Sequence, residues 1–322
     1  VRWGWPVDRR AAAAIIMTAI AMTERRAELD GAASATLVLL CLLWGLQQVA
    51  IKVAMTGFSP VLQGGLRSLG ALALLWGWAA LRGMRLFERD GTLGLGLLAG
   101  LLFAGEFLLV YTGLSYTTVS RSILFLYTAP FLVSVGAHLL LPGERMRGVQ
   151  AAGLVCAFVG VAVAFADGLR LPTNREMIGD LMVLAAAVLW AATTLVIKGS
   201  KLVRASSTKV LFYQLAVSGA VMPLASLLMG EAGVTAPGPL ALACLAFQIV
   251  VVAFASYLAW FWLVARYPAA RLSAFTFLTP LFGVLSGALL LGERVSASLA
   301  AAMLLVCAGI WLVNRRAPAA GA

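Results

Sequence analysis

The chain has 322 residues, 62% of them hydrophobic and only 11% charged, with a mean hydropathy of +0.98 and a formal net charge of +11. A soluble domain is about 45–50% apolar and about 25% charged, so no soluble fold hides this much apolar surface and the chain is an integral membrane protein. Its four cysteines (Cys41, Cys156, Cys244, Cys307) stand singly in apolar runs without CxxC spacing, which suggests neither a disulfide framework nor a metal site.

In chain order, residues 1–34 come first and read as a cytoplasmic tail. Val1 to Ala21 mixes Arg9-Arg10 with an apolar patch too short to span a bilayer. This segment is signal-like, an interfacial helix, or an extension upstream of a natural start at Met22-Thr-Glu-Arg-Arg, and the last is preferred. Ten apolar runs of spanning length follow, at 35–56, 60–81, 93–113, 122–141, 149–166, 178–197, 210–229, 238–264, 272–291 and 297–314. Ser59-Pro60 reads as an N-cap with proline at the first helical position, and Gly91, Pro142-Gly143 and Pro237-Gly238-Pro239 mark turns. Residues 315–322 form a second cytoplasmic tail.

Most of the 24 Lys and Arg fall in the tails and in alternate loops, at Arg82, Arg85, Arg89, Arg145, Arg147, Lys198, Lys201, Arg204, Lys209, Arg266 and Arg271. The positive-inside rule therefore places both termini in the cytoplasm. The basic balance reports membrane orientation, and nucleic acid is not expected as a partner.

The chain also copies itself. Trp44-Gly-Leu-Gln-Gln-Val-Ala-Ile-Lys52 matches Trp190-Ala-Ala-Thr-Thr-Leu-Val-Ile-Lys198, and Phe125-Leu-Tyr-Thr-Ala-Pro130 matches Phe275-Thr-Phe-Leu-Thr-Pro280. Leu141-Pro-Gly-Glu-Arg145 matches Leu291-Gly-Glu-Arg294, and Leu154-Val-Cys-Ala157 matches Leu305-Val-Cys-Ala308. Residues 35–166 and 178–314 are thus two repeats of five helices. Five is odd, so the second copy is inverted in the membrane. Inverted repeats are the build of secondary transporters, with a substrate site near the midplane between the halves.

These residues carry a resemblance. The Trp-Gly motif of the first run, Pro60 followed by Leu66-Arg67, and a proline followed by Gly-Glu-Arg in each half resemble the drug/metabolite transporter superfamily, in its EamA-type branch. The resemblance covers roughly residues 35–314. It implies a bacterial inner-membrane carrier that moves small metabolites, often outward, coupled to a proton or ion gradient.

One carboxylate interrupts the third run, in Gly100-Leu-Leu-Phe-Ala-Gly-Glu-Phe-Leu-Leu-Val110. Counted at about 1.5 Å per residue, Glu106 and Arg67 both lie on the order of 10 Å below the outer surface. Gln47, Gln48, Tyr127 and Thr128 fall near that level. Ionisable groups within a membrane are costly and mark pathways for substrate or protons. Two readings of Glu106 stand. It pairs with Arg67 to fasten two helices, or it carries a proton or anchors a cationic group of the substrate. The second half offers neutral groups instead, at Trp190, Thr193, Thr194, Tyr257, Trp262 and Thr276. With Trp44 these residues outline the expected pathway. Pro130 and Pro280 are expected as mid-helix kinks that act as hinge or gate.

Among the remaining features, Gly96-x-x-x-Gly100 and Gly283-x-x-x-Gly287 are expected as close helix contacts, and Glu144 and Glu293 as structural. Arg121 is expected to snorkel to the interface or to meet an anionic substrate, and His138 to be interfacial. No catalytic constellation, metal site or cofactor motif is present in the sequence. The expected function is a ten-helix carrier exporting an amino acid-like, drug-like or related solute by alternating access, coupled to a proton gradient. Its expected partners are the small-molecule substrate and the lipid bilayer, with a homodimer as a further option. An uncoupled facilitator, a nucleotide-sugar-type exchanger and a membrane scaffold or sensor are the alternatives.

Overall fold

A computed structural model describes residues 28–166, 171–291 and 298–315. Helix α1 spans Gly31–Ala54 and is capped by Asp30, whose Oδ1 accepts from the Ala33 amide at 2.7 Å. Helix α2 (Pro60–Leu81) opens with a proline, whose missing N–H costs nothing in a first turn. Helix α3 is Leu93–Leu114. The fourth span is two helices, α4 (Val119–Leu126) and α5 (Ala129–Leu140), and α6 is Gly148–Ala164.

The second half opens with α7 (Asn174–Gly199), started by a capping box between Thr173 and Glu176, and continues with α8 (Ser207–Leu228). The eighth span changes winding along its length. An α-helix, α9 (Pro239–Phe247), becomes a π-helical stretch, Gln248–Ser256, and then α10 (Tyr257–Arg266). The ninth span is again broken, into α11 (Ala269–Thr276) and α12 (Leu278–Leu291), and α13 (Ser298–Asn314) closes the described chain. Among the described residues, seven spans are long and apolar enough to cross a membrane by length and composition. The apolar α6 and α13 are shorter, and α2, 22 residues long, carries Arg67.

The two prolines therefore do not kink continuous helices. Pro130 lies in the first turn of α5 and Pro280 in the first turn of α12, where no intrahelical N–H is required. At the first break the chain passes through tighter bonds, Thr128 N to Phe125 O at 3.2 Å and Phe131 N to Thr128 O at 3.0 Å. A threonine hydroxyl binds a carbonyl at both breaks, Thr128 to Phe125 O and Thr276 to Ser273 O, each at 2.7 Å.

Packing runs mainly between the repeats. α2 lies on α8, α6 on α13, α3 on α7 and α8, and α1 on α9 and α12. Most of these pairings have a counterpart under exchange of the two halves, as α3 with α7 answers α9 with α1. Ser68 and Ser218 are 150 residues apart, near the offset that relates the repeats, and their hydroxyls bond at 2.8 Å across the α2–α8 contact. In the α6–α13 contact Cys156 reaches Leu305 O, 149 residues on. Near-equivalent positions meeting in two places put a pseudo-two-fold axis through both contacts.

The direction of the chain shows that the second copy is inverted. Glu231, just beyond the end of α8, accepts from the Val61 and Leu62 amides at the start of α2. At the other face Lys209, near the start of α8, bonds Asp90 beyond the end of α2 at 2.8 Å. The equivalent helices α2 and α8 are therefore antiparallel. Glycines permit the closest approaches. A Cβ at Gly96 would lie 2.3 Å from the Tyr213 ring on α8, and one at Gly309 would lie 2.5 Å from the Gly153 carbonyl.

Candidate substrate site

Arg67 lies about two turns into α2 and is fully buried. Its guanidinium carbon stands 4.3 Å from the centre of the Phe107 ring and 5.9 Å from that of Tyr257. Cation–π attraction of this kind offsets part of the desolvation of the charge. Among the described residues its Nε, Nη1 and Nη2 have no hydrogen-bond partner. Glu106, on α3, is 8% exposed and forms neither a hydrogen bond nor an ion pair among the described residues. Arg67 stacks on Phe107, the residue after Glu106, which brings the two charges into one neighbourhood. The contact that depth alone suggested is thus not an ion pair, because Arg67 turns to the aromatic face beside Glu106.

The surroundings are aromatic and polar in alternation. Phe103, Phe107 and Tyr111 recur every four residues on α3, so they share one helix face. Phe103 packs edge-on to Tyr257 at 6.0 Å, and Tyr257 to Trp44 at 6.2 Å. Trp44 donates its indole N–H to Ser256 Oγ at 2.8 Å, at the end of the π-helical stretch. Gln47 is buried beside the Tyr257 phenol. The Tyr111 hydroxyl and Gln63 Oε1 are buried without partners among the described residues, while Gln63 Nε2 donates to Gln248 Oε1 at 3.1 Å. Arg67, Glu106, Trp44, Gln47 and Tyr257 therefore form one cluster, walled by α1, α2, α3 and the π-helical span.

Other expected residues fall elsewhere. Gln48, next to Gln47, is exposed and runs along Gly283. Tyr127 and Trp190 pair at 6.1 Å in a second aromatic group with Phe277, which joins Phe131 and Phe158. The hydroxyls of Thr193 and Thr194 bond the carbonyls of Leu189 and Trp190 in their own helix, which occupies their donors. Thr128 and Thr276 are spent on the helix breaks described above. Trp262 is 43% exposed on the outer surface of α10. Arg121 neither snorkels nor waits for substrate, because it is buried in an ion pair with Asp180 on α7, which also accepts from Thr117. His138 Nδ1 accepts from the Met146 amide.

Sequence reasoning missed Phe103, Phe107, Tyr111, Gln63 and Gln248. The four-residue spacing of the aromatics was the available signal, hidden in an apolar run. Glu144, expected to be structural, joins three segments at the basic face. It pairs with Lys198 at 2.8 Å and accepts from the Ala269 amide at 2.7 Å, while Lys198 also donates to the Tyr267 and Val264 carbonyls. Its repeat equivalent, Glu293, lies outside the described residues, as do the arginines before residue 28.

The sequence matches the EamA-like transporter family twice, over residues 32–166 and 177–315. The chain belongs to the EamA-like transporter family. The two matches fall on the two structural halves. Among relatives of this family, a Bacillus subtilis protein named "Uncharacterized transporter YvbV" is 31% identical over 290 residues, covering 88% of this chain and 92% of its own length. An Escherichia coli K12 protein named "Probable amino-acid metabolite efflux pump" is 28% identical over 294 residues, covering 85% and 92%. One solved structure superposes with a TM-score of 0.76 at 21% identity, over 88% of this chain and 96% of that one, and shows that the fold is shared. The chain is a multi-pass membrane transporter of this family.

Proposed function

We propose that this transporter exports a small amphoteric metabolite, amino acid-like in chemistry, from the cytoplasm by alternating access, with Glu106 carrying the coupling proton. The carrying observation is the pair of buried, unpaired opposite charges, Arg67 and Glu106, on an aromatic wall between the repeats. A buried guanidinium with no acceptor costs several kcal/mol, roughly, unless a bound anionic group or water completes it. A substrate carboxylate fits its planar fork, and a substrate ammonium fits Glu106. The aromatic rings of Phe107 and Tyr257 suit an apolar side chain. The name of one relative as an amino-acid metabolite efflux pump agrees with this chemistry. The Lys- and Arg-rich face is the cytoplasmic one by the positive-inside rule, and it carries both termini. Pro130, Pro280 and the threonine-bonded breaks beside them supply matched hinges in both halves.

The test is metabolite profiling of the medium around cells expressing the wild type or Glu106→Gln, with equal amounts in the membrane. A metabolite that accumulates with the wild type, and loses its dependence on the pH gradient in Glu106→Gln, supports the reading. Accumulation that never responds to a pH gradient makes the protein an uncoupled facilitator. No accumulated metabolite, and no saturable binding to the purified protein, would favour a scaffold.

A further inference from the structure

Two tryptophans stand on the bilayer-facing surface near the basic face. Trp78 lies about one turn before the end of α2, and Trp262 about one turn before the end of α10. Together with Phe254, Ala255, Leu258 and Ala259 they line one apolar groove of about 460 Å³. Ala255 and Ala259 contribute the small side chains of its lining. From Phe254 to Trp262 the groove extends roughly 12 Å along the helix. One leaflet of the hydrocarbon core is about 15 Å deep. The groove thus fits within the acyl region of a single leaflet.

An arginine stacks on each of its two tryptophans. The Arg82 guanidinium lies 4.4 Å above the Trp78 ring, and the Arg266 guanidinium 4.3 Å above the Trp262 ring. Neither guanidinium has a hydrogen-bond or ion-pair partner among the described residues. Two unpaired guanidinium groups from opposite repeats are therefore held on aromatic platforms at the headgroup level of the leaflet whose acyl region the groove occupies. A zwitterionic lipid also offers a phosphate, but only an anionic lipid brings the net negative charge that two guanidinium groups favour.

We propose that this groove binds one anionic phospholipid of the leaflet at the basic face, with its phosphate between Arg82 and Arg266 and one acyl chain along Leu258 and Phe254. The site lies on the outer side of the span that presents Tyr257 inward, so the lipid packs against the back of the substrate wall. Basic residues at the membrane surface favour anionic lipid by roughly fivefold each.

Fluorescence quenching by lipids brominated on their acyl chains tests this, using the full chain in vesicles and a W78F/W262F variant to isolate the signal of the two tryptophans. Brominated phosphatidylglycerol should quench that signal at a several-fold lower mole fraction than brominated phosphatidylcholine. The preference should vanish in R82Q/R266Q and survive in R315Q, which removes a similar stack on Trp311 outside the groove. Equal quenching by both lipids, or a preference that survives R82Q/R266Q or is lost in R315Q, overturns the proposal. Quenching by neither lipid in a protein that runs as a dimer would assign the groove to a second copy and overturn it as well. R82K/R266K, which keeps the charges, separates loss of binding from loss of fold, because it should retain much of the preference.

Discussion

Arg67 brings five N–H donors to a place where no acceptor among the described residues meets its guanidinium nitrogens. Such an arrangement is unfavourable for folding and useful for binding, so function and stability should separate on substitution. Arg67→Met fills similar volume without charge. We expect export to fall at least tenfold while thermal stability in detergent holds or rises, by about 1–4 kcal/mol, as when buried charges give way to apolar side chains. A variant that loses stability and export together would instead make Arg67 part of the scaffold. Depth counting along the sequence brought Arg67 and Glu106 to a common level correctly. It could not tell which face of each helix they occupy, and so it suggested an ion pair where a cation–π contact stands. Arg121 shows the same limit, since Asp180, its partner, is 59 residues away and on another helix.

At the scale of elements, helix starts were legible because proline and capping residues act locally, as at Pro60 and Pro239. The breaks after α4 and α11 were not, because the same proline reads as a kink inside an apolar run or as a first turn after a break. The π-helical stretch left no local mark in the sequence either. What ties the elements together is equally non-local. Lys198 ends one repeated motif and Glu144 belongs to another, and they meet with side chains only 5% and 13% exposed. Lys198→Met should leave Glu144 uncompensated and cost about 3–5 kcal/mol, with much of the loss recovered in Lys198→Met/Glu144→Gln. Equal stabilities for the two variants would refute a buried pair. The tie between α8 and the α2–α3 loop behaves differently because it is half in water. Lys209 and then Thr92 hold the Asp90 carboxyl well below the usual carboxylate range. A carboxyl depressed in the folded state stabilises above its unfolded value and loses that contribution as pH falls through the folded one. The melting temperature of the wild type should therefore exceed that of Asp90→Asn by a constant gap at neutral pH, which closes below about pH 4. A gap that persists at lower pH would exclude ionisation as its source.

For the whole molecule, the two-fold relation has a mechanical consequence. If the halves exchange conformations to open opposite faces, contacts between repeats at one face must break while the core contacts on the axis, Ser68 with Ser218 and α6 with α13, persist. The contact that must break at the basic face is visible. Glu144, in the α5–α6 loop of the first repeat, holds the Ala269 amide at the start of α11 in the second at 2.7 Å. If the basic face is the cytoplasmic one, as proposed, a path from it to Arg67 would part those two segments. Cysteines at positions 144 and 269, in a chain whose four native cysteines are replaced by alanine and which carries Lys198→Met so that no buried charge loses its partner, allow that parting to be blocked. Oxidation to a disulfide should abolish export and reduction should restore it, with the reduced variant compared against the same chain carrying either cysteine alone. A matching pair on the axis, Ser68→Cys/Ser218→Cys, should cross-link and leave export largely intact. Export that continues with residues 144 and 269 joined would mean that substrate enters without opening this face, and alternating access through the repeat interface would have to be abandoned.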